Sequence, residues 1–261
     1  TPESSTKEAS PTAEESSAAP SSTAGYSSGN GKRGLAYNDV ALTGAFDGSS
    51  EISWAYNWAS SGPGLSSNFE FVPMLWGLRD EFTSAWEDAA NSALESGSSC
   101  LLAFNEPDHE EQANLAPSAA ADGYRQYMSP FAGAAQLGTP AVTNGADGMG
   151  LDWLASFMDA CSDCPIDFAV IHWYDAASNT EYFKNHVTEA HELTGLPVWV
   201  TEFGASGSEA EQAQFLEEVM AWMDGQDFVE RYSYFMVSEG NLVSGDALTE
   251  VGDIFSSYVA K

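Results

Sequence analysis

The sequence predicts an α/β fold: a single (β/α)8 barrel of the TIM type, with degenerate first helices and a disordered Ser/Thr-rich N-terminal segment. Three observations carry this. From Arg33 onward, eight short apolar runs of strand length alternate with stretches of helical spacing. The fourth and seventh runs end in Glu106 and Glu202, so the three repeats between them average 32 residues, close to the ~30 of a βαβ unit. No GxGxxG follows any strand, which counts against an open doubly wound sheet.

Residues 1–31 are mostly Ser, Thr, Ala, Pro, Glu and Gly, with Tyr26 the sole large apolar side chain. Such a composition cannot offset its ordering entropy, so this stretch reads as a disordered linker ahead of a catalytic barrel over 32–261. Lys32-Arg33 reads first as the start of strand one, with a dibasic processing site as the lesser reading. The strands then follow at Gly34–Tyr37, Ile52–Tyr56, Phe71–Leu75, Leu101–Phe104, Gly138–Val142, Phe168–Ile171, Val198–Thr201 and Tyr232–Met236. Most of these end in polar or aromatic residues, where an apolar run gives way to a loop.

Helical spacing covers Phe82–Leu94, Ala119–Gln136, Leu151–Ala160, Tyr182–Thr194, Glu209–Met223 and Val251–Tyr258. Ser118 is a start signal, and Ser208 with Glu211 has the spacing of a capping box. The connections around 43–50 and 62–68 are short and rich in Gly and Ser, so the first two helices are expected to be degenerate.

Eight Lys+Arg stand against 39 Asp+Glu, a net charge of −31, so neither nucleic acid nor an anionic membrane surface would be attracted and a neutral partner fits better. No apolar stretch reaches the ~18 residues of a membrane helix, so no membrane insertion is expected. No signal peptide opens the chain, which is read as starting at a mature or trimmed end. Of the three cysteines, Cys161 and Cys164 are expected to form a local disulfide in an exported protein, leaving Cys100 a buried thiol that opens its strand. A bridge from Cys100 to either of the other two stays open.

Two strand tips supply the candidate chemistry. Leu101-Leu102-Ala103-Phe104 runs into Asn105-Glu106-Pro107-Asp108, and Val198-Trp199-Val200-Thr201 into Glu202-Phe203-Gly204. In a barrel these tips share one face, so Glu106 and Glu202 can flank a sugar as acid and nucleophile. Trp54, Tyr56, Asn57, Trp58, Trp76, His172, Trp173 and Tyr174 fall at or near strand ends and are the candidate sugar-binding set, about half of them expected to be core. His109, His186 and His191 read as loop and helix-surface residues. No metal-ligand spacing, GxSxG or phosphate loop occurs, so no metal or cofactor is expected.

The stretches Arg33–Asn38, Ser53–Trp58, Phe71–Trp76, Leu102–Asp108, His172–Tyr174 and Trp199–Gly204 together resemble the fungal β-1,3-glucanases of glycoside hydrolase family 128. The resemblance runs in order from about Arg33 to Tyr258. It implies a retaining, endo-acting β-1,3-glucanase, with Glu106 as general acid/base, Glu202 as nucleophile and Asn105 placed to hold the reacting sugar's 2-hydroxyl. A secreted or cell-wall protein, monomeric, with β-1,3-glucan as its partner follows from the same resemblance. Glu106 is expected to be kept protonated by apolar surroundings and by the charge of Glu202. The alternatives are a β-1,3-glucan-binding protein with little turnover and a barrel glycosidase acting on another β-glycan such as mannan or cellulose.

Overall fold

The structure is a computed structural model and describes residues 31–259. Eight parallel strands run in sequence as β1 (Arg33–Tyr37), β2 (Ile52–Tyr56), β3 (Glu70–Phe71), β4 (Cys100–Leu101), β5 (Gln136–Leu137), β6 (Ala169–Ala176), β7 (Val198–Ser206) and β8 (Val229–Val237). Six form one sheet in the order β3-β2-β1-β8-β7-β6, and β4 pairs with β5. Single parallel bridges, Met74 to Leu102 and both Gly138 to Phe168 and Val142 to Ile171, join β4 and β5 to their neighbours on either side. The ladder therefore passes through all eight strands, as the sequence expects. The linker expected over 1–31 lies outside the described residues, apart from Gly31, whose carbonyl accepts a hydrogen bond from Ser53.

Strand alternation divides the apolar residues into two layers. Ala36, Trp54, Tyr56, Val72, Met74, Leu102, Phe168, Val170 and Trp199 fill the inside of the barrel. Leu35, Tyr37, Ala55, Leu101, Ala103, Val198 and Val200 point outward to the helices. On the inside, the Arg231 guanidinium lies 4.5 Å from the centre of the Trp199 ring and pairs with Glu70 at 2.6 Å.

The helices are α1 (Asp80–Thr83), α2 (Trp86–Glu95), α3 (Pro117–Tyr127), α4 (Gly150–Ala160), α5 (Thr180–Thr194), α6 (Glu209–Asp224) and α7 (Glu250–Ser257). The capping box of α6 forms as expected, with Ser208 and Glu211 bonded reciprocally. α5 ends on Gly195 in the left-handed conformation, a common helix stop. The first connection holds a 3-10 helix over Val40–Phe46, and no helix stands between β2 and β3, which agrees with degenerate early helices.

Several boundaries differ from the sequence reading: the strands expected at Phe71–Leu75, Leu101–Phe104 and Gly138–Val142 form ladders only at Glu70–Phe71, Cys100–Leu101 and Gln136–Leu137 and continue as single bridges. The helix expected over Phe82–Leu94 is broken into α1 and α2. α3 opens on Pro117 as its first helical residue, a position that needs no N–H, instead of on a Ser118 cap. It also stops at Tyr127 well short of Gln136, because Pro130 and Gly133, at φ +79°, divert the chain. A small hairpin of β9 (Val243–Ser244) and β10 (Ala247–Leu248) was not foreseen.

Lys32 and Arg33 belong to the fold. The Lys32 ammonium donates to the carbonyls of Met223, Asp224 and Gln226 at 2.9–3.3 Å, satisfying the C-terminal end of α6. Arg33 is 1% exposed, donates to the Tyr232 hydroxyl at 2.8 Å and pairs with Asp224 at 3.0 Å. Cys161 and Cys164 form the disulfide, and Cys100 is a free thiol that burial pushes up to about 11. Among the described residues no helix is long and apolar enough to cross a membrane.

Candidate active site

Glu106 and Glu202 meet at one end of the barrel. One oxygen of each carboxylate and one ring nitrogen of His172 lie within 4.8 Å of one another. Glu202 reaches this point through an irregularity in β7. Ile171 pairs with Val200 and His172 with Glu202, so Thr201 is an extra residue in the strand. Such a bulge breaks the alternation and re-aims the side chains that follow. As a result two consecutive residues, Thr201 and Glu202, both face His172. A second register shift in the pairing of β8 with β1 likewise lies where Phe235 and Met236 both reach the cleft.

Glu106 is delivered differently. Its backbone N–H donates to Ala141 at 2.7 Å, and its φ is +42°. Trp58 is also left-handed, at φ +58°. A non-glycine residue in this region costs roughly 1–3 kcal/mol and persists only where its surroundings impose it, which is a recurring feature of functional sites.

The Glu202 side chain is 6% exposed and both of its oxygens accept hydrogen bonds. The indole N–H of Trp58 donates to Oε1 at 2.7 Å, and the Tyr174 hydroxyl to Oε2 at 2.5 Å. Beneath Trp58, the Tyr56 ring packs with its centroid 5.0 Å away, and Tyr56 donates to the Thr201 carbonyl at 2.9 Å. The column Trp54, Tyr56, Trp58 thus rises through the barrel interior and ends on Glu202.

His172 is fully buried. Its Nδ1 stands 2.9 Å from Glu106 Oε1 and 3.5 Å from Glu202 Oε2, and its Nε2 lies 3.0 Å from Thr201 Oγ1. Burial opposes charge on this ring, but the charges of Glu202 and Glu106 outweigh it and hold His172 above the usual imidazole range. The effect on Glu106 corrects the expectation from sequence. Burial does act to raise its pKa, yet the hydrogen bond and charge of His172 prevail and hold it below the usual carboxylate range. Both directions favour a Glu106 carboxylate paired with a His172 imidazolium across the 2.9 Å contact.

A stability effect follows from these two directions. His172 is raised, so its contribution is fully present below the unfolded imidazole value of ~6.5 and is lost as pH climbs through the folded value. Glu106 is lowered, so its contribution is present above ~4.3 and is lost as pH falls through its folded value. The unfolding free energy lost on His172→Gln should accordingly be larger at about pH 5.5 than at about pH 9. Urea titrations of both proteins at the two pH values measure this, and a loss that grows toward pH 9 would contradict the ion pair.

The cleft above these groups has a volume of about 400 Å³. Of the candidate sugar-binding residues, Trp58, Trp76, Asn105 and Tyr174 line it. Asn105 Oδ1 is buried with no hydrogen-bond partner, while its amide nitrogen donates to Gln112 Oε1 at 3.3 Å. Tyr56 and His172 lie beneath the lining and support it. Trp54 and Trp173 are fully buried core side chains, Trp54 against Trp199 and Trp173 stacked on Phe215 at 5.4 Å. Asn57 turns away, bonding Ser61 and the Ala59 N–H to shape its own loop.

Four lining residues escaped the sequence reading: Asn38, Gln112, Phe235 and Met236. Asn38 follows the tip of β1 and Phe235 the Tyr-Ser-Tyr run of β8, so both stood at strand ends. Gln112 sits in the loop after Glu106 and carries no signal. His186 is likewise buried, on the inner face of α5 with Phe183, Val187 and Ala190, and burial pushes it down to about 4. Glu106, His172 and Glu202 are near enough to share a metal ion.

Two carboxylates facing one small gap at the C-terminal end of a parallel barrel, walled by aromatic rings, are the equipment of a glycosidase. Residues 34–255 match the family model described as glycosyl hydrolase catalytic core, and the chain is a glycoside hydrolase. An exo-β-1,3-glucanase from Blastomyces gilchristii, of glycoside hydrolase family 128 subgroup III, curdlan-specific and solved with glucose, is 47% identical. It superposes with a TM-score of 0.83 over 87% of this chain and 98% of its own. The chain belongs to glycoside hydrolase family 128.

An endo-β-1,3-glucanase of subgroup I from Amycolatopsis mediterranei, in complex with laminaripentaose, is 30% identical with a TM-score of 0.72, over 87% of this chain and 98% of its own. Complexes of that enzyme with laminari-oligosaccharides include variants in which one or the other of two glutamates is replaced. Alkali-sensitive linkage protein 1 of Schizosaccharomyces pombe is 37% identical over 255 residues, 88% of this chain. The chain spans 45% of the length of that relative.

Proposed function

We propose that the protein hydrolyses β-1,3-glucan with retention of configuration, Glu106 acting as general acid/base and Glu202 as nucleophile. The observation that carries this is the gap of at most 4.8 Å between an oxygen of each carboxylate. Retaining enzymes hold their carboxyl groups ~5–5.5 Å apart, whereas inverting ones need ~6.5–9.5 Å to admit a water molecule between carboxylate and sugar. The two donors on Glu202 align its oxygens for attack on an anomeric carbon. Glu106 and His172 share one proton along a 2.9 Å contact, which Glu106 passes to the departing glycosidic oxygen. Once Glu202 is esterified, the same carboxylate takes a proton from water, and hydrolysis frees a sugar of the starting configuration. Asn105 lines the cleft beside Glu106, in keeping with a hold on the 2-hydroxyl.

The laminari-oligosaccharide complexes of the Amycolatopsis enzyme support glucan as the ligand. On the mode of cutting, the sequence resemblance favours endo action, while the 47% identity to a curdlan-specific exo enzyme supports release of glucose from chain ends. The disulfide Cys161–Cys164 supports export to the cell surface or wall. A monomer is part of the same reading.

Incubation with laminarihexaose, followed by chromatography and by NMR of the first product, tests these points together. Glucose and laminaripentaose as the only early products mean exo action, and an early spread of two-, three- and four-unit oligosaccharides means endo action. A first product with the α configuration would overturn retention, and no new reducing ends at all would leave a glucan-binding protein.

A further inference from the structure

Asp108 lies two residues beyond Glu106, and its side chain is tied to the next two elements of the barrel. Its carboxylate accepts the Thr143 backbone N–H at 3.1–3.2 Å, the Thr143 hydroxyl at 2.6 Å and the Gly150 N–H at 2.8 Å. Gly150 opens α4, whose own N-cap, Met149, makes no side-chain bond. Asp108 thus caps that helix from a different loop. Gly150 sits at φ +55°, and a Cβ there would come within 2.5 Å of the Gly145 carbonyl oxygen, so this point has no slack.

The other end of the tie leads to His172. Val142, the neighbour of Thr143, accepts the His172 backbone N–H at 2.8 Å, and Val142 bridges to Ile171. A closed circuit results: Glu106, Pro107, Asp108, then across to Thr143, Val142 and His172, and back through the 2.9 Å contact between His172 Nδ1 and Glu106 Oε1. His172 bonds the Glu106 carboxylate, and the Glu106 backbone stands in the left-handed region, which its surroundings must impose. Proline next to Glu106 limits the route by which the loop could relax.

We infer that Asp108 is a positioning residue for the reaction, fixing Glu106 against His172 by tying the loop of one to the strand end that holds the other. It touches no substrate and acts through Glu106. The inference rests on Glu106 being the proton donor. A cap that merely stabilised α4 would lower the melting temperature and leave turnover by the folded protein intact.

The test compares Asp108→Ala with the unaltered protein on two substrates: laminarihexaose, whose leaving group needs a proton, and dinitrophenyl β-laminaribioside, whose leaving group does not. For Asp108→Ala, kcat/KM on laminarihexaose is expected to fall about 10–100-fold, the range for losing an orienting partner. On the activated substrate it should change by less than about 3-fold, because protonation no longer limits. In a Glu106→Gln background the same replacement should add less than about 3-fold, since both act on one group. Thr143→Val, which removes the hydroxyl that donates to Asp108 and accepts the Gly145 N–H, should act in the same direction and more weakly, and serves if Asp108→Ala does not fold. Ser208→Ala supplies a control that removes the cap of another helix, α6, without touching Asp108, Thr143 or Glu106. Equal losses on the two substrates, full additivity with Glu106→Gln, or a fall in melting temperature alone would overturn the inference. If Glu106→Gln itself leaves laminarihexaose turnover intact, the acid assignment fails first and the role of Asp108 falls with it.

Discussion

Glu202→Gln is expected to lower turnover of laminarin on the order of 10⁴-fold, because the amide cannot form the glycosyl ester on which a retaining route depends. The surroundings make the effect severe. Both Glu202 oxygens accept hydrogen bonds, from Trp58 and from Tyr174. An amide must turn its NH₂ toward one of those donors, so one of the two contacts becomes repulsive. Reducing-end assays of the purified variant measure the loss, and residual turnover above a tenth would remove the nucleophile assignment. Azide gives an independent reading with Glu202→Ala, where a small anion can enter the vacated space. Direct attack from that face should yield an α-glucosyl azide.

Glu106→Gln should cost about 10²–10⁴-fold on laminarin, the range for a lost general acid–base group, and the cost should depend on the leaving group. For an aryl glucoside with a dinitrophenyl leaving group, kcat/KM should stay near that of the unaltered protein, because bond cleavage needs no proton. Azide then captures the glucosyl ester on Glu202, and the product should be the β-glucosyl azide. The opposite pairing of azide products between Glu106→Ala and Glu202→Ala would exchange the two roles. His172 complicates only the pH dependence: the acid's proton is shared with a fully buried imidazole 2.9 Å away, so the limbs of the profile belong to the pair.

The barrel was legible because its strands are apolar runs ending abruptly in polar or aromatic residues, and that pattern depends on local composition. Glu106 and Glu202 were legible for the same reason, each closing such a run. How Glu202 turns inward was not legible. Plain alternation along Trp199, Val200 and Thr201 would aim Glu202 outward, and the bulge that reverses this is a matter of pairing with β6, which a single strand does not encode. Gln112 and the bond from Trp58 to Glu202 depend on loops folding back over the cleft. Trp54 and Trp173 illustrate the converse: aromatic residues near strand tips carry no mark of whether they face a ligand or the core, and the depth of the barrel decides. The lowered pKa of Glu106 was not legible either, because its cause is an imidazole from β6 that meets it at 2.9 Å only in the folded barrel.

The pair Lys32-Arg33 has a bearing on how the chain survives among proteases. Endoproteases that read paired basic residues need the site in an extended, accessible segment, yet here both side chains are engaged, one on the end of α6 and the other inside the wall between β1 and β8. The peptide bond after Arg33 is open to such an enzyme only while the first and last strands are apart, so a cut there would mark chains that failed to close and would not be a maturation step.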